Sequence, residues 1–256
     1  MAKVMTNLET EIWFPPFLSG KGEPRLFQGL DKPALQDIFT HSVVKEYEGG
    51  KLLVQQGDDV MCVFILLKGH LRTFRTGKDG DEVTLRILKA GNSCMAATVF
   101  MGGASPVAVE VTSTSQILEI PASFVKNFVL KDNQFARNML KIVANHYEYA
   151  ISQVDSISIK TPFQRIGHYL LQKHVEQGAN SMSFELDFKK AIIASHLGMT
   201  PETFSRALKK IQTMGIIVEG NKIRMSDAFA LCHFCDMDIA QNCPRARSDH
   251  CPDCHF

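Results

Sequence analysis

The sequence predicts an α+β protein in which an N-terminal β-barrel is followed by a long helix and a C-terminal winged helix-turn-helix. Three observations support this fold class. Short β-rich runs separated by glycine-containing turns occupy the first half of the chain. A segment in which apolar residues recur with a heptad repeat comes next. The following segment reads as helix, glycine turn, helix and two-stranded ribbon.

The β-barrel is predicted from the punctuation of the first half of the chain. A short helix begins after Asp31, with Pro33 in its first turn. Gly-Gly, Gly-Asp, Lys-Gly and Lys-Asp-Gly sequences then separate β-rich runs between residues 44 and 120. Regular short strands with such turns favour an antiparallel barrel or sandwich.

Two apolar rows characterise the long helix, which we place at residues 134–159. The first row steps by four and three along Ala136, Leu140, Val143, Tyr147, Ala150, Val154 and Ile157. The second row consists of Phe135, Met139, Ile142 and Tyr149. One row covers the barrel, and the other favours a dimer seam over a helix that only packs on its own barrel.

The segment at 160–228 predicts a winged helix-turn-helix, with Gly198 at the turn and Pro201 at the start of the second helix. The sequence between positions 189 and 224 contains seven Lys or Arg residues and only two Glu residues. This excess of positive charge suits contacts to DNA phosphates. An ordinary helical domain with a solvated basic face is the alternative. The predicted contacts to double-stranded DNA are Thr200, Glu202, Thr203, Ser205, Arg206 and Lys209.

The composition excludes other classes. The 256 residues, 45% of them hydrophobic, can bury a sizeable core, and the net charge of +1 restricts nucleic-acid affinity to a local patch. The longest aliphatic and aromatic run, 63–67, is too short to cross a bilayer. Without a signal sequence we expect a cytoplasmic protein. No nucleophile-base pair, phosphate loop or HExxH motif indicates an enzyme.

The chain resembles a known family in the order and detail of its motifs. The segments EGGKLLVQQGDD and FILLKGHLRTF, the long helix and IIASHLGMTPETFSRALKKIQTMGII are similar to the cyclic-AMP receptor and fumarate-nitrate regulator (CRP/FNR) family of bacterial transcription factors. The resemblance spans about residues 25–228. It implies that Glu202, Ser205 and Arg206 read half-sites of the TTGAT type, and that RNA polymerase is a partner.

The resemblance also divides the chain into segments. It implies an N-terminal extension at 1–25, a cyclic-nucleotide-binding-like sensor barrel at 26–133 and a dimerisation helix at 134–159. A winged helix-turn-helix at 160–228 and a cysteine-rich tail at 229–256 follow. A homodimer would read an inverted repeat whose half-sites are a helical turn apart.

Departures from the family argue against cyclic AMP as the ligand. Members that bind it hold ribose and phosphate with a Gly-Glu pair and an Arg-Ser pair. In this chain Met95 stands about where the Glu would be, and Ser105-Pro106 about where the Arg-Ser pair would be. Without a cation, a buried cyclic phosphate would be unpaired. The fumarate-nitrate regulator gathers its cluster-ligating cysteines before the barrel, whereas this chain has none before Cys62.

The C-terminal tail predicts a metal site. Two CxxC pairs are separated by fifteen residues, the arrangement that a four-thiolate zinc site uses, and an iron-sulfur cluster would accept the same ligands. The sequence leaves this choice open, and an unmetallated tail or adventitious disulfides are the alternative. His233, His250 and His255 are extra candidate ligands. The cysteines of the tail are Cys232, Cys235, Cys243, Cys251 and Cys254.

Three residues of the barrel are further candidates. The segment around Cys94 resembles the place where carbon-monoxide-sensing haem members of the family present a thiolate ligand. Those members have a histidine two residues later, where this chain has Ala96. Haem is therefore less favoured at Cys94 than a redox-active thiol. Cys62 is expected to be a buried hydrophobe and His70 a surface residue.

Two functions are consistent with the sequence. The first is a DNA-binding regulator of CRP/FNR type that a metal, redox or gas signal switches. The alternative is a cyclic-nucleotide-type ligand-binding module that regulates a partner protein and docks with its helical end.

Overall fold

The computed structural model describes residues 3–4, 24–179, 181–227 and 229–245. The chain divides into two compact units, an N-terminal unit of residues 1–150 and a C-terminal unit of residues 151–256. Across the described ranges, none of the helices combines the length and the apolarity that a bilayer crossing requires.

Two antiparallel sheets form the barrel of the N-terminal unit. Five strands are ordered β1-β2-β9-β4-β7 and four are ordered β3-β8-β5-β6 within the described residues. The strands are β1 Lys3–Val4, β2 Val43–Tyr47, β3 Leu52–Val54, β4 Cys62–Lys68, β5 His70–Thr76, β6 Glu82–Lys89, β7 Ser93–Cys94, β8 Ala108–Val111 and β9 Ser115–Pro121.

Helices cover one face of the five-stranded sheet. The described ones in this unit are α1 Lys32–Thr40, α2 Ala96–Met101, α3 Ala122–Val129 and α4 Asn133–Ile159, which continues into the C-terminal unit. The predicted start of α1 is confirmed, because the side chain of Asp31 accepts a hydrogen bond from the backbone N–H of Ala34 at 2.8 Å. The predicted bounds of the long helix differ from the observed ones by one residue at the start.

Strand β4 lies between two hydrophobic cores, which explains its continuous apolar run. Val63 and Ile65 pack into the cluster formed with the helices. Phe64 and Leu66, on the opposite face, pack into the interior between the two sheets. A strand has a side-chain period of two, so a strand covered on both faces must be apolar at every position.

Helix α4 carries the two apolar rows that the sequence predicts. Phe135, Met139 and Ile142 are buried in the core beside β4. The other row remains exposed, with Leu140 at 71% and Val154 at 66% exposure. The helix therefore presents an apolar stripe that its own barrel does not cover, which we call the exposed stripe: Leu140, Val143, Tyr147, Val154 and Ile157.

The C-terminal unit is a winged helix-turn-helix with a short helical tail. Its helices are α5 Pro162–Glu176, α6 Lys190–His196 and α7 Pro201–Gln212. The strands are β10 Ser183–Glu185, β11 Ile216–Glu219 and β12 Lys222–Met225, in the order β10-β12-β11. The tail contains a 3-10 turn, Cys232–Phe234, and α8 Met237–Ala240.

The predicted two-stranded ribbon is wrong by one strand. Strand β10 has only three residues, of which Phe184 alone is fully buried. It pairs with β12, with Ser183 opposite Arg224. Because that partner lies about forty residues later, the run Ser-Phe-Glu carries no local signal of a strand.

Candidate nucleic-acid interface

A buried arginine fixes the turn between α6 and α7. Gly198 adopts a left-handed conformation there, with φ of +63°. Nη1 of Arg165 on α5 donates to the carbonyl oxygens of Leu197 at 2.6 Å and Gly198 at 3.2 Å. These carbonyls end α6, so the guanidinium satisfies acceptors that the helix leaves open.

Thr200 caps the start of α7. The Thr200 side chain accepts a hydrogen bond from the backbone N–H of Thr203 at 3.2 Å. The two hydroxyl oxygens lie 3.0 Å apart. Both residues are predicted DNA contacts, and their observed partners lie within the helix terminus.

One face of α7 is buried and the other is exposed. Phe204, Leu208 and Ile211 pack inward. The exposed face, which we call the recognition face, consists of Glu202, Ser205 and Arg206.

The recognition face has only weak internal contacts. Nη2 of Arg206 lies 3.9 Å from Oε1 of Glu202, and both side chains are more than two-thirds exposed. The hydroxyl of Ser205 donates to the carbonyl oxygen of Pro201 at 2.9 Å. An exposed ion pair contributes little to stability, so the guanidinium and the carboxylate are available to another partner. Lys209, one turn further along, is also exposed.

Two basic residues have local partners that sequence reasoning missed. Nζ of Lys210 lies 4.6 Å from the centroid of the Phe163 ring. Arg224 on the wing pairs with Glu219. The cross-strand pairing of β11 with β12 brings the latter pair together, and a hairpin with charges on both strands is a signal that could have predicted it.

Residues 91–107 are the segment in which the resemblance places the phosphate contacts of cyclic-AMP-binding members. Met95 has a φ of 67° and precedes α2. Ser105 is 2% exposed, and its hydroxyl donates to the carbonyl oxygen of Val107 at 2.6 Å. Residues 91–107 contain no Lys or Arg. That cyclic AMP does not bind here stays a prediction.

Cys94 is a buried thiol. It lies on β7 opposite Phe64 of β4 and is 2% exposed. Burial raises the pKa of Cys94 to about 11, although Arg86 acts in the opposite direction. A thiol that stays protonated at neutral pH is neither a reactive thiolate nor a ready haem ligand, so this environment disfavours both roles.

The other two barrel candidates also have defined surroundings. Cys62, the first residue of β4, is half-buried rather than fully buried as expected. Cys62 pairs with Pro121 of β9, whereas β7, on the other side of β4, pairs only with Phe64 and Ile65. Nδ1 of His70 lies 3.1 Å from the hydroxyl of Ser113, and the ring is half-buried.

The first half of the tail packs onto α5. Phe234 lies against Phe163 with ring centroids 5.1 Å apart. A Cβ atom at Gly167 would come within 2.3 Å of the Phe234 ring, so only glycine leaves space for it. The 3-10 turn that carries Phe234 also carries Cys232 and Cys235, and the Cys235 N–H donates to the Cys232 carbonyl oxygen at 2.9 Å.

An ionic cluster anchors the tail behind this turn. Oδ2 of Asp236 accepts a hydrogen bond from Nζ of Lys160 at 2.7 Å. Nε2 of His168 lies 2.7 Å from the same oxygen. Burial acts to raise the pKa of Asp236, but His168 and Lys160 hold it well below its usual range. A cavity of about 350 Å³ adjoins Asp236 and Cys235.

The described part of the tail does not make a metal site by itself. Within the described ranges, no three His, Cys, Asp or Glu side chains are grouped so that they could hold an ion. Cys232 is buried, and Cys235 and Cys243 are half-buried. The predicted ligands Cys251 and Cys254, with His250 and His255, lie outside the described residues.

Comparison with known proteins decides the family. Residues 44–132 match the family model of the cyclic nucleotide-binding domain, and residues 164–234 match that of the Crp-like helix-turn-helix domain. Both occur in the order expected, on either side of α4. The chain belongs to the CRP/FNR family of transcription factors.

Curated relatives of this CRP/FNR protein are regulators. It is 27% identical over 223 residues to the transcriptional activator protein FnrA of Stutzerimonas stutzeri, an alignment that covers 84% of this chain and 88% of FnrA. It is 22% identical over 191 residues to the fumarate and nitrate reduction regulatory protein of Escherichia coli K12, covering 73% and 76% of the two chains. The chain is thus a regulator with a DNA-binding helix-turn-helix and not an enzyme.

A solved structure supports the fold of this CRP/FNR regulator. FixK2 from Bradyrhizobium japonicum superposes with a TM-score of 0.68 at 20% identity, over 76% of this chain and 98% of FixK2. At that identity the likeness concerns the fold.

Proposed function

We propose that this regulator binds a TTGAT-like inverted repeat as a homodimer and responds to a metal, redox or gas signal rather than to cyclic AMP. The observation that carries the proposal is the recognition face on α7. Its arginine can form two hydrogen bonds to guanine O6 and N7, and its glutamate can accept one from cytosine N4. The opposite face of the helix is fixed in the core.

Dimerisation supplies the symmetry that an inverted repeat requires. The exposed stripe of α4 supports this part of the proposal, since a stripe with a heptad repeat is what two parallel helices bury against each other. Two recognition helices would then read half-sites one helical turn apart. RNA polymerase is the proposed protein partner of the bound dimer.

The tail is the proposed place of the signal. Its paired cysteines support a bound metal, zinc or an iron-sulfur cluster, whereas the burial of Cys94 gives haem less support. A change in the tail would act through α5, because this helix contacts Phe234 through Gly167 and the α6–α7 turn through Arg165. The tail thus shares a rigid element with the recognition helix.

DNA recognition is tested by binding of full-length protein to a palindromic TTGAT duplex in a salt titration. We expect Arg206→Ala to weaken specific binding roughly 5- to 150-fold, the range for one lost bidentate base contact, and to relax preference at one base pair. The matched control Lys209→Ala should weaken binding to all sequences and reduce the salt dependence by about one ion. Unchanged sequence preference in Arg206→Ala would overturn the proposal.

The metal is tested by metal and sulfide analysis with an absorption spectrum, on protein purified without oxygen. The double variant Cys251→Ser, Cys254→Ser should lose the metal while the tail stays docked through Phe234. Truncation before Cys232 is less informative, because it would also expose α5. Iron with sulfide identifies a cluster, zinc alone identifies a structural site, and equal metal content in wild type and variant contradicts the proposed ligands.

A further inference from the structure

His174 on α5 is a buried histidine with one ring nitrogen that has no hydrogen-bond partner among the residues that the structure describes. The residue is 3% exposed, and Nε2 is the unpartnered atom. The ring of Phe184 on β10 lies 5.9 Å away, between centroids, and offers no hydrogen-bonding group. Buried polar atoms in native proteins are nearly always paired, so this nitrogen calls for a partner outside the described residues.

His174 lies on the face of α5 that the tail covers. It follows Gly167, the contact of Phe234, by seven residues, and positions two helical turns apart share one face. Both the 3-10 turn of the tail and α8 contact α5. His174 therefore lies on the side of the helix along which the tail runs.

The described part of the tail runs along α5 and returns toward its C-terminal end. Asp236 contacts Lys160, just before the helix, where this path turns back. After α8 the described residues end at Arg245, whose positive charge acts on His174. Burial and this charge lower the pKa of His174, which keeps the imidazole uncharged at neutral pH, the form that binds metal ions. The described chain thus ends near His174.

Two of the predicted metal ligands follow this point closely in the sequence. Cys251 comes six residues after Arg245, and Cys254 comes nine residues after it. Six extended residues span about 20 Å, so both thiols are within reach of His174. Zinc accepts imidazole in place of one or two thiolates, and some iron-sulfur clusters do the same. Within the described ranges no three ligand side chains are grouped, so His174 can complete a site only with residues from 246–256.

We propose that Nε2 of His174 is a ligand of the metal bound by Cys251 and Cys254, so that one imidazole from α5 takes the place of one of the four predicted thiolates. This inference rests on the proposed tail metal and adds a ligand from outside the tail. Ligation by Nε2 gives the unpartnered nitrogen its partner and places the ring proton on Nδ1. The metal is then tied directly to the helix whose Arg165 holds the α6–α7 turn.

The test is X-ray absorption at the K edge of the metal in full-length protein purified without oxygen. With zinc we expect sulfur at about 2.3 Å and one nitrogen at about 2.0–2.1 Å, and His174→Gln should lose the nitrogen. With an iron-sulfur cluster, nitrogen coupling in pulsed EPR of the reduced protein takes the place of that distance. A wild-type shell of sulfur alone overturns the role of His174 but leaves the tail metal intact, whereas wild-type protein without metal overturns both.

His233→Gln is the matched control, because His233 is an exposed histidine of the tail and another candidate ligand. It should keep the nitrogen signal, and a signal that persists in His174→Gln contradicts the assignment. Loss of an outer-shell partner alone costs about 10- to 100-fold in metal affinity, so His174→Gln should bind the metal at least about tenfold more weakly. If that variant does not fold, His174→Cys supplies a thiolate and should bind metal through sulfur alone. Equal metal affinity in wild type and His174→Gln also overturns the inference.

Discussion

Gly198 shows how a single residue positions the recognition helix. Its left-handed backbone makes the turn between α6 and α7, and both Arg165 and Ile157 approach it closely. A Cβ atom at this position would lie 3.2 Å from Cδ1 of Ile157 and 3.3 Å from Nη1 of Arg165. The left-handed backbone favours glycine here, and a Cβ would in addition press on two side-chain atoms.

We predict that Gly198→Ala destabilises the C-terminal unit by more than the left-handed backbone alone, which costs about 1–2 kcal/mol. The matched control is Gly220→Ala on the wing, where φ is +58° but no atom lies within 4 Å of the new Cβ. Thermal unfolding measures both. Equal losses of stability in the two variants would show that crowding at the turn is unimportant.

At the scale of elements, α4 serves two surfaces at once. Its buried row is part of the barrel core, whereas the exposed stripe has no cover within the described chain. Burial of an aliphatic side chain is worth about 1.5–3 kcal/mol, and each residue of a symmetric seam is buried twice. Burial of the stripe between two chains would therefore stabilise a dimer.

We predict that Leu140→Glu and Val154→Glu each convert a dimer into monomers, because two like charges would be buried at the seam. Sedimentation at micromolar concentration, with and without reductant, measures this. Ser152→Glu, an exposed position off the stripe, adds the same charge and should remain dimeric. A wild type that is monomeric under every condition would contradict the seam.

The docked tail is a second element whose stability depends on a charge. Asp236 holds the tail through Lys160, and its pKa lies below the ordinary 3.8 in the folded chain. A carboxyl group with a lowered folded pKa contributes stability above its unfolded pKa, and this contribution is lost as the pH falls toward the folded pKa.

We predict that Asp236→Asn lowers the free energy of unfolding at pH 7 by about 1.5–3 kcal/mol, the range for a hydrogen bond to a charged group. The variant should also lose less stability than wild type as the pH falls below about 4. Urea unfolding between pH 3 and 7, followed by circular dichroism, measures both effects. Asp238→Asn is the control, since this neighbour is exposed. The same pH dependence in Asp236→Asn and wild type would exclude this anchor.

At the scale of the whole molecule, each unit has a hydrophobic core of its own. Ile65 is 0% exposed in the N-terminal unit, and Ile211 is 0% exposed in the C-terminal unit. Units with separate cores commonly unfold as separate cooperative transitions.

We predict two calorimetric transitions for the full chain. Ile65→Ala should lower the midpoint temperature of one transition and Ile211→Ala that of the other. Each substitution should reduce the stability of its unit by about 2–5 kcal/mol, the cost of truncating a buried isoleucine. The two substitutions are matched in chemistry and burial, so each is the control for the other. A single transition that both variants shift equally would mean that the units unfold as one.

Local periodicity was sufficient to predict most of the architecture. The apolar run of β4, the two rows of α4 and the Gly198–Pro201 pattern depend on residues within a few positions of one another. These patterns reflect which face of an element is buried, so they are readable without coordinates. The exposed recognition face of α7 followed from the same spacing.

The tertiary structure decided everything that depends on a distant partner. The sequence by itself determined the fold class, the family resemblance and the exposed face of α7. Only the fold pairs β10 with β12, buries Cys94, docks Phe234 on Gly167 and places Arg86 beside His146. Some of these contacts join positions sixty or more residues apart. A local pattern of residue types cannot predict such contacts.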